Sequence, residues 1–506
     1  MICRQATLGL FIFILFVSSA FRSFAQDSLS SSQVEIKNAD VFRFSSGPQG
    51  ELRYLKGNVQ LMHKGTYMEC DSAVVYKESN SVDAFGNVFI LDHDSIEIHS
   101  VNAFYNGMSR WAILDQQVSI QNGSMLLESP RVDYDMNNSI GYYSTWGKLT
   151  KDKTVITSKQ GTYYNEVDEA YFKQNVHITD PDFTLDTDTL IFNTKHSIAT
   201  FTDFTLIKSK SSTITCYSGH YDTRFEIGDF GVRTNMYDKT QQLSTDSMWF
   251  NRKWGKTEIY KRFVMQDTTR KVKIFGTKAI YLDEAEHFIA WERPLLVRYF
   301  DTDTLYLRAD TVVSKQTDSL GKFRCFFAYP KVRTYKSDFQ SRCDSFWYSF
   351  KDSTFRLFKD PVVWNANVQM SGDTLYMTTV NQEPDAMETF NNGFIAMMSS
   401  SEYFDQIKGS RILAQIKKQQ LEQISIKGNA ESIYFGKDDK NEYIGMNRAK
   451  SSEIKMWFAN KELEQVRFYR KPEAVFTPMK KLQGVEQKLE GFKWRQDERP
   501  KGVYDL

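Results

Sequence analysis

From residue 68 onward, one arrangement of apolar, small and aromatic positions keeps returning: apolar, any, small, any, any, apolar, any, aromatic. It reads Met68-x-Cys70 followed by Ala73 and Val75-Tyr76, then Ile98-x-Ser100-x-x-Ala103-x-Tyr105 and Leu127-x-Ser129-x-x-Val132-x-Tyr134. It continues as Ile156-x-Ser158-x-x-Gly161-x-Tyr163, Leu185-x-Thr187-x-x-Leu190-x-Phe192 and Ile214-x-Cys216-x-x-Gly219-x-Tyr221. Leu243-x-Thr245-x-x-Met248-x-Phe250 and Ile274-x-Gly276-x-x-Ala279-x-Tyr281 complete the strong copies. The small residues stand at 70, 100, 129, 158, 187, 216, 245 and 276, so the repeat is about 29 residues; weaker, wider-spaced copies follow at Ala309, Cys343 and Gly372. A fixed period of this size marks a repeat architecture and takes precedence over cutting the chain into domains by length.

The other half of each unit ends in a valine, as in Gly57-Asn58-Val59, Gly86-Asn87-Val88, Gln117-Val118, Asn175-Val176, Gly231-Val232 and Phe263-Val264, with an echo at Gly428-Asn429-Ala430. Short polar segments such as His93-Asp94, Asn122-Gly123 and Asp180-Pro181-Asp182 separate the halves, and these are turn residues. Each unit therefore reads strand, turn, strand, turn, too short for a crossover helix. Side chains two apart on a strand share a face. Leu127 and Ser129 share one face and Val132 and Tyr134 share one face, but the step from 129 to 132 is odd. A bulge or bend there returns all four to one inner face. Repeated in every unit, the bend predicts an all-β, elongated, repetitive V-shaped trough of stacked antiparallel strands, with the small residue where the backbone turns tightly.

The N-terminus changes the picture of where this trough works. Arg4 precedes an uncharged run with Leu10 to Val17 at its centre, and Ser23-Phe24-Ala25 puts small residues at −3 and −1 before Gln26. This layout predicts a cleavable secretory signal over residues 1–25. The alternative is a membrane anchor, for which the run is short against a span of about 20 residues. Cys3 lies far from the cleavage point, which argues against a lipid-modified cysteine. Cleavage removes Arg4 and Arg22 and no acid, leaving 62 basic against 63 acidic residues. That balance is no electrostatic footprint for nucleic acid.

Four cysteines remain, Cys70, Cys216, Cys325 and Cys343, with no Cys-x-x-Cys pair to suggest a metal. Cys70 and Cys216 occupy the small-residue slot and are read as packing residues. In an oxidising compartment an even number allows one disulfide, between Cys325 and Cys343.

The best copies of the repeat fill residues 35–200, and a second repeat region covers 201–380. Asn381 to Asp385 reads as a loop between halves. A β-rich extension follows over 381–479, in which Gly409 to Leu421 reads either as a helix or as another bend of the repeat. The charged segment 480–506 reads as a solvated tail.

Acids recur beside the bend, in Asp71-Ser72, Asp188-Thr189, Asp246-Ser247, Asp310-Thr311, Asp344-Ser345 and Asp373-Thr374. A calcium ladder would have gaps at Ser100 and Ser158, so bend capping through side-chain to backbone hydrogen bonds is favoured. The seven histidines are scattered without ligand spacing, and neither a catalytic residue nor a metal ligand nor a cofactor site is predicted. The candidate functional surface is the inner face itself: Met68, Ile98, Leu127, Ile156, Leu185, Ile214, Leu243 and Ile274, with the aromatic column Tyr105, Tyr134, Tyr163, Phe192, Tyr221, Phe250 and Tyr281. Both a closed, dry core and an open groove for acyl chains require such a face.

The runs Leu55-Lys56-Gly57-Asn58-Val59, Met68-Glu69-Cys70-Asp71-Ser72-Ala73 and Ala84-Phe85-Gly86-Asn87-Val88 resemble the OstA-like/LptA family of periplasmic lipopolysaccharide-transport proteins. The likeness is best over about residues 35–200. It implies a twisted, open β-jelly roll that shields acyl chains in a hydrophobic groove, without catalysis or cofactor. It also implies lipopolysaccharide or a related lipid as the ligand and other transport-bridge proteins as partners, joined by end-to-end β-edge pairing in outer-membrane assembly. The implied location is the periplasm, with association to the outer membrane through partners. This chain departs from the short family members by its length, so one chain could replace several stacked copies. The rival from another class is a structural or adhesive secreted β-solenoid with a closed core, and a third reading is a polysaccharide lyase on a β-helix.

Overall fold

Tyr, Phe, Val, Ile and Thr at alternate positions favour extended backbone, and the polar segments between them close hairpins. The computed structural model describes residues 32–48, 50–93, 95–210, 212–238, 240–283, 286–301, 303–317, 323–381, 383–417, 420–459 and 462–506. The expected signal segment lies outside these. The described residues form forty-one β-strands that pair antiparallel, and three single 3-10 turns near the C-terminal end; they contain no α-helix. They fall into two compact units, one up to Asp115 and one from Gln116 onward.

In the first unit the strands Gly50–His63, Thr66–Tyr76, Ser81–Asp92 and Ile96–Asn106 pair in order. Val59 faces Cys70 and Lys56 faces Ser72, so Gly57 and Asn58 together oppose Asp71 alone. This is the extra-residue bulge that the odd step demands. Gly57 and Asn58 have φ of 77° and 45°, and Gly86 and Asn87 repeat the pair at 74° and 44°. Glycine suits the first position because it enters the left-handed region without steric cost. A Cβ on Gly86 would also collide with the Asp71 carboxylate. The strand Thr66–Tyr76 shows the consequence directly: Met68 and Cys70 are buried, the next two positions face outward, and Ala73 and Val75 are buried again.

The second unit keeps the same scheme. Met125, Leu127, Ser129, Val132 and Tyr134 are buried along one strand, while Pro130 and Arg131 at the bend are exposed. Here the partner strand often breaks into two at the bend, as between Ile140–Tyr143 and Gly147–Lys151. The Ser129 hydroxyl reaches the Trp146 carbonyl at 2.6 Å across this break, and the Ser158 hydroxyl reaches the Gln160 carbonyl at 2.7 Å. The small hydroxyl therefore satisfies backbone that the bend strips from the ladder.

The acids beside the bend act differently from the expectation. Five of the six, and Asp40 as well, pair with side chains rather than backbone: Asn58 donates to Asp40 at 2.8 Å, Asn87 to Asp71 at 2.9 Å and Asn392 to Asp373 at 3.1 Å. In the second unit Arg262 on Asp246, Lys331 on Asp310 and Lys359 on Asp344 replace the asparagine, at 3.1, 3.1 and 3.2 Å. The bulge brings its own side chain over the acid opposite, which makes this the shorter reach.

Three further expectations are corrected, and one open choice is decided. Between the two readings of 409–421, the described residues take the repeat's bend rather than a helix: Phe404–Lys417 is a strand paired with Glu383–Met398 and Gln420–Lys437, with Gly409 opposite Gly393 at the bulge. Gly409, Ile412 and Ala414 carry the odd step, and that fixes them to one inner face. Asn381 to Asp385 is no inter-half loop, since Val380 faces Glu383 in a tight hairpin. Cys325 and Cys343 form no disulfide; both are buried free thiols on strands where Cys325 faces Ser349 and Cys343 faces Val332.

The segment 480–506 is not a solvated tail. Leu482, Leu489 and Leu506 are 5%, 2% and 4% exposed. Leu482 and Leu489, with Phe492 and Trp494, pack on Phe394, Ala396, Ile433, Phe435 and Met446. These residues belong to the outer face of the sheet, because Ile395, between two of them, faces Ile407 on the inner side. Three glutamines, each three residues before the small position of its strand, hold this strap. Gln406 accepts from the Leu489 N–H and donates to the Gln487 carbonyl, both at 2.8 Å. Gln369 does the same with Arg495 and Lys493 at 2.7 and 2.8 Å, and Gln340 accepts from Arg499 at 2.8 Å.

Candidate functional site

The bulge in each rung turns the two halves of a strand toward one another, so the inner faces of two walls meet. Of the fifteen predicted inner-face residues, fourteen are 7% exposed or less: Met68, Ile98, Tyr105, Leu127, Tyr134, Ile156, Tyr163, Leu185, Phe192, Ile214, Tyr221, Leu243, Phe250 and Ile274. Tyr281 is half-buried and borders a small cavity with Leu243 and Phe288. The interior is filled by the side chains of the walls themselves. Two partly open clefts against it, beside Leu243 and Ile274, have volumes of about 30 and 20 Å³, room for one or two waters.

Contacts across the gap are specific. Phe183 meets Tyr221 edge to face at 4.7 Å between ring centres, and Phe263 meets Phe288 at 5.8 Å, both favoured geometries. The interior is not wholly apolar. The hydroxyls of Ser100, Tyr221 and Thr257 are buried without a hydrogen-bond partner among the described residues. Burial pushes the Tyr143 and Tyr281 phenols up to about 12, and it raises that of Tyr221 as well. The thiols of Cys70 and Cys216 are likewise pushed up to about 11 and 12 by burial, which keeps them protonated and inert.

Sequence reasoning missed the polar lips where the wall tips meet. In the first unit Asp92, fully buried, accepts from the Thr66 hydroxyl at 2.9 Å and lies 3.6 Å from the Arg110 guanidinium. His63 Nδ1 is 2.7 Å from the Tyr105 hydroxyl, and burial holds its imidazole below the usual histidine range. In the second unit Asn122 donates to Asn165, and Arg252 donates to the Asp182 carbonyl at 3.1 Å. No spacing rule foretells these pairs, because only the stacking of rungs brings together residues as far apart as Asn122 and Asn165, 43 positions, or Asp182 and Arg252, 70 positions. Among the described residues no group of three or more His, Cys, Asp or Glu side chains is arranged to hold a metal. No helix among them is long and apolar enough to cross a membrane.

No curated protein sequence matches the chain. Among solved structures, it is similar to LptH of Pseudomonas aeruginosa, described as the LptA-homologous periplasmic component of the lipopolysaccharide transport device. That likeness has 15% identity and a TM-score of 0.20, and covers 22% of this chain and 81% of that one. The profile of the OstA-like protein family matches residues 31–188. The match takes in the Gly-Asn bulges, Asp71 with its asparagine partner, four whole copies of the inner-face motif and the start of a fifth, and over these residues the chain is similar to the OstA-like family.

Proposed function

We propose that the chain is a component of lipopolysaccharide transport in the periplasm, and that its inner face shields acyl chains in transit to the outer membrane. One observation carries the reading: an OstA-like region whose every rung returns apolar and aromatic side chains to the same inner face. Each acyl CH₂ buried there would contribute about 0.8 kcal/mol. The packed interior adds a requirement. Lipid enters only when the walls part, so the polar lips are the contacts that open. The role is physical shielding without a reaction.

Open edges suit pairing with other transport-bridge proteins. The strand Val41–Gly47 is exposed throughout, with Phe42 and Phe44 53% and 58% exposed. In the second unit Glu473–Pro478 leaves Val475 and Phe476 65% and 53% exposed. Unpaired edges of this kind template strand addition.

The filled interior also favours a second reading, a structural secreted protein with a permanently closed core. A photoreactive phenylalanine analogue at Tyr134, which faces inward, and at Tyr142, which faces outward, separates the two. Transport predicts lipopolysaccharide crosslinks at Tyr134 alone, lost on adding Leu127→Asp. Folded protein with no crosslink at Tyr134, or equal crosslinking at both positions, selects the closed core.

A further inference from the structure

On the outer side of the bend in the second unit lies a cavity of about 760 Å³, within the range of small-ligand pockets. Six basic side chains line it, Arg293, Arg308, Lys331, Arg333, Arg342 and Lys359, against two acids, Asp310 and Asp344. That is four more basic than acidic side chains in the lining, in a chain whose net charge is +1. No aromatic side chain lines it, so it offers no platform for stacking a base.

The strand register sharpens this. Arg308 stands directly opposite Arg333, and Arg333 directly opposite Arg342, on three strands in succession. Like charges facing each other on a sheet are destabilising. The repeat does not require them. The position just before the small residue holds Glu69, Glu128 and Asp186 in earlier copies, and His99, Thr157, Thr215, Ser244 and Phe275 in the others. Nor do the acids neutralise the row. Asp310 and Asp344 are taken by Lys331 and Lys359 at 3.1 and 3.2 Å. Arg342 has Asp360 and Glu498, both at 3.1 Å. Among the described residues Arg333 donates to the Asp505 carbonyl at 3.1 Å and Arg293 to a main-chain oxygen of Leu506, the last residue, at 3.0 Å. The Arg308 Nε is buried with no hydrogen-bond partner among the described residues. Burial, and then Arg293, lower its affinity for its proton.

We propose that this arginine row is a binding site for phosphate groups, with Arg308 and Arg333 as its principal ligands and Lys331, Lys359 and Arg293 at its rim. Guanidinium forks match phosphate oxygens in paired hydrogen bonds. Such a surplus of basic side chains suits a ligand with more than one phosphate better than one with a single charge. The site stands on the face away from the apolar interior, so it neither needs nor implies acyl binding there. The phosphates could belong to a lipid's sugar headgroup or to a free phosphate compound.

The test uses the whole chain. Sodium pyrophosphate is titrated calorimetrically and in thermal melts, and lipopolysaccharide binding is measured before and after phosphatase treatment of the lipid. Saturable pyrophosphate binding is expected, weakened about tenfold or more in Arg308→Gln and in Arg333→Gln, and unchanged in Lys151→Gln far along the chain. In phosphate-free buffer Arg308→Gln should melt higher than wild type, because a like-charge contact is gone, and its melting should no longer rise with pyrophosphate. Lipopolysaccharide binding that falls on phosphatase treatment assigns the site to a headgroup; binding that does not fall, beside intact pyrophosphate binding, assigns it to a free phosphate compound. The proposal is overturned if pyrophosphate does not bind saturably, if either variant binds as wild type does, or if Arg308→Gln melts lower in phosphate-free buffer, which marks a structural arginine. Loss of inner-face crosslinking with this binding intact would count against acyl shielding alone.

Discussion

Asp92→Ala tests whether the lips hold the first unit closed. The carboxylate is fully buried, hydrogen-bonded by Thr66 at 2.9 Å and 3.6 Å from Arg110, whose side chain is 15% exposed. Removing one partner of a buried pair typically costs about 3–5 kcal/mol, because the other charge is left uncompensated. The partial exposure of Arg110 places the loss at the lower end, about 3 kcal/mol. If that contact exists only while the walls are together, the open-to-closed ratio of the first unit rises about a hundredfold. Hydrogen exchange read by mass spectrometry over Ser81–Asp92 and Ile96–Asn106 should accelerate by that factor, and lipid crosslinking from inner positions should increase. Glu97→Ala, on the exposed face of the next strand, should change neither. A change under about 0.5 kcal/mol in Asp92→Ala would show that the contact is not holding the walls. Faster exchange with unchanged crosslinking would show that the lips do not gate lipid.

His63 makes the first unit sensitive to acid. Its folded affinity for a proton is lowered by burial, so below about pH 6.5 the unfolded chain takes up a proton that the folded chain declines. Stability is then whole above that pH and falls as the pH drops toward the lowered value; His63→Gln should flatten this part of the pH profile of exchange, and an unchanged profile would exclude His63 as its source. The protein lacking residues 1–25 should show no native reaction with a thiol reagent at pH 8, four thiols in denaturant and no mass change on reduction, since its cysteines are buried and free; fast native labelling would contradict the packing role. Leu489→Ala should cost about 2–5 kcal/mol of strap docking, read as protease cleavage after Leu482 and a shift in Trp494 emission, with resistance unchanged if the strap is held by its glutamines alone.

The repeat, the bend and the inner face could be read from residue spacing because parity is a local property: the odd step from 129 to 132 leaves no other way to bury both Leu127 and Tyr134. The strap could not. Leu482, Leu489, Phe492 and Trp494 follow no period and sit among charges, and their value comes only from the surface laid down by Phe394 to Met446. The arginine row was hidden for a related reason. Residues 308, 333 and 342 are unevenly spaced, and only strand pairing sets them side by side. The Cys325–Cys343 disulfide fell to the same gap, since closeness in sequence says nothing about which strand each thiol faces. The choice between helix and strand over 409–421 was open because Lys, Gln and Leu after Ile412 suit a helix, while the pairing with Gln420–Lys437 decides for strand.

The bulge built from Gly57 and Asn58, and again from Gly86 and Asn87, has a consequence for how such a chain can change. Each rung restores its own phase at its own bulge, so an error in one is not inherited by the next. Residues gained or lost in the hairpin tips leave every inward side chain where it was, and whole rungs can be added or removed in steps of about 29 residues. A single residue lost at the bulge would instead turn half a strand inside out. The two positions that look least constrained, a glycine and an asparagine facing water, are the ones that make the length of this protein adjustable.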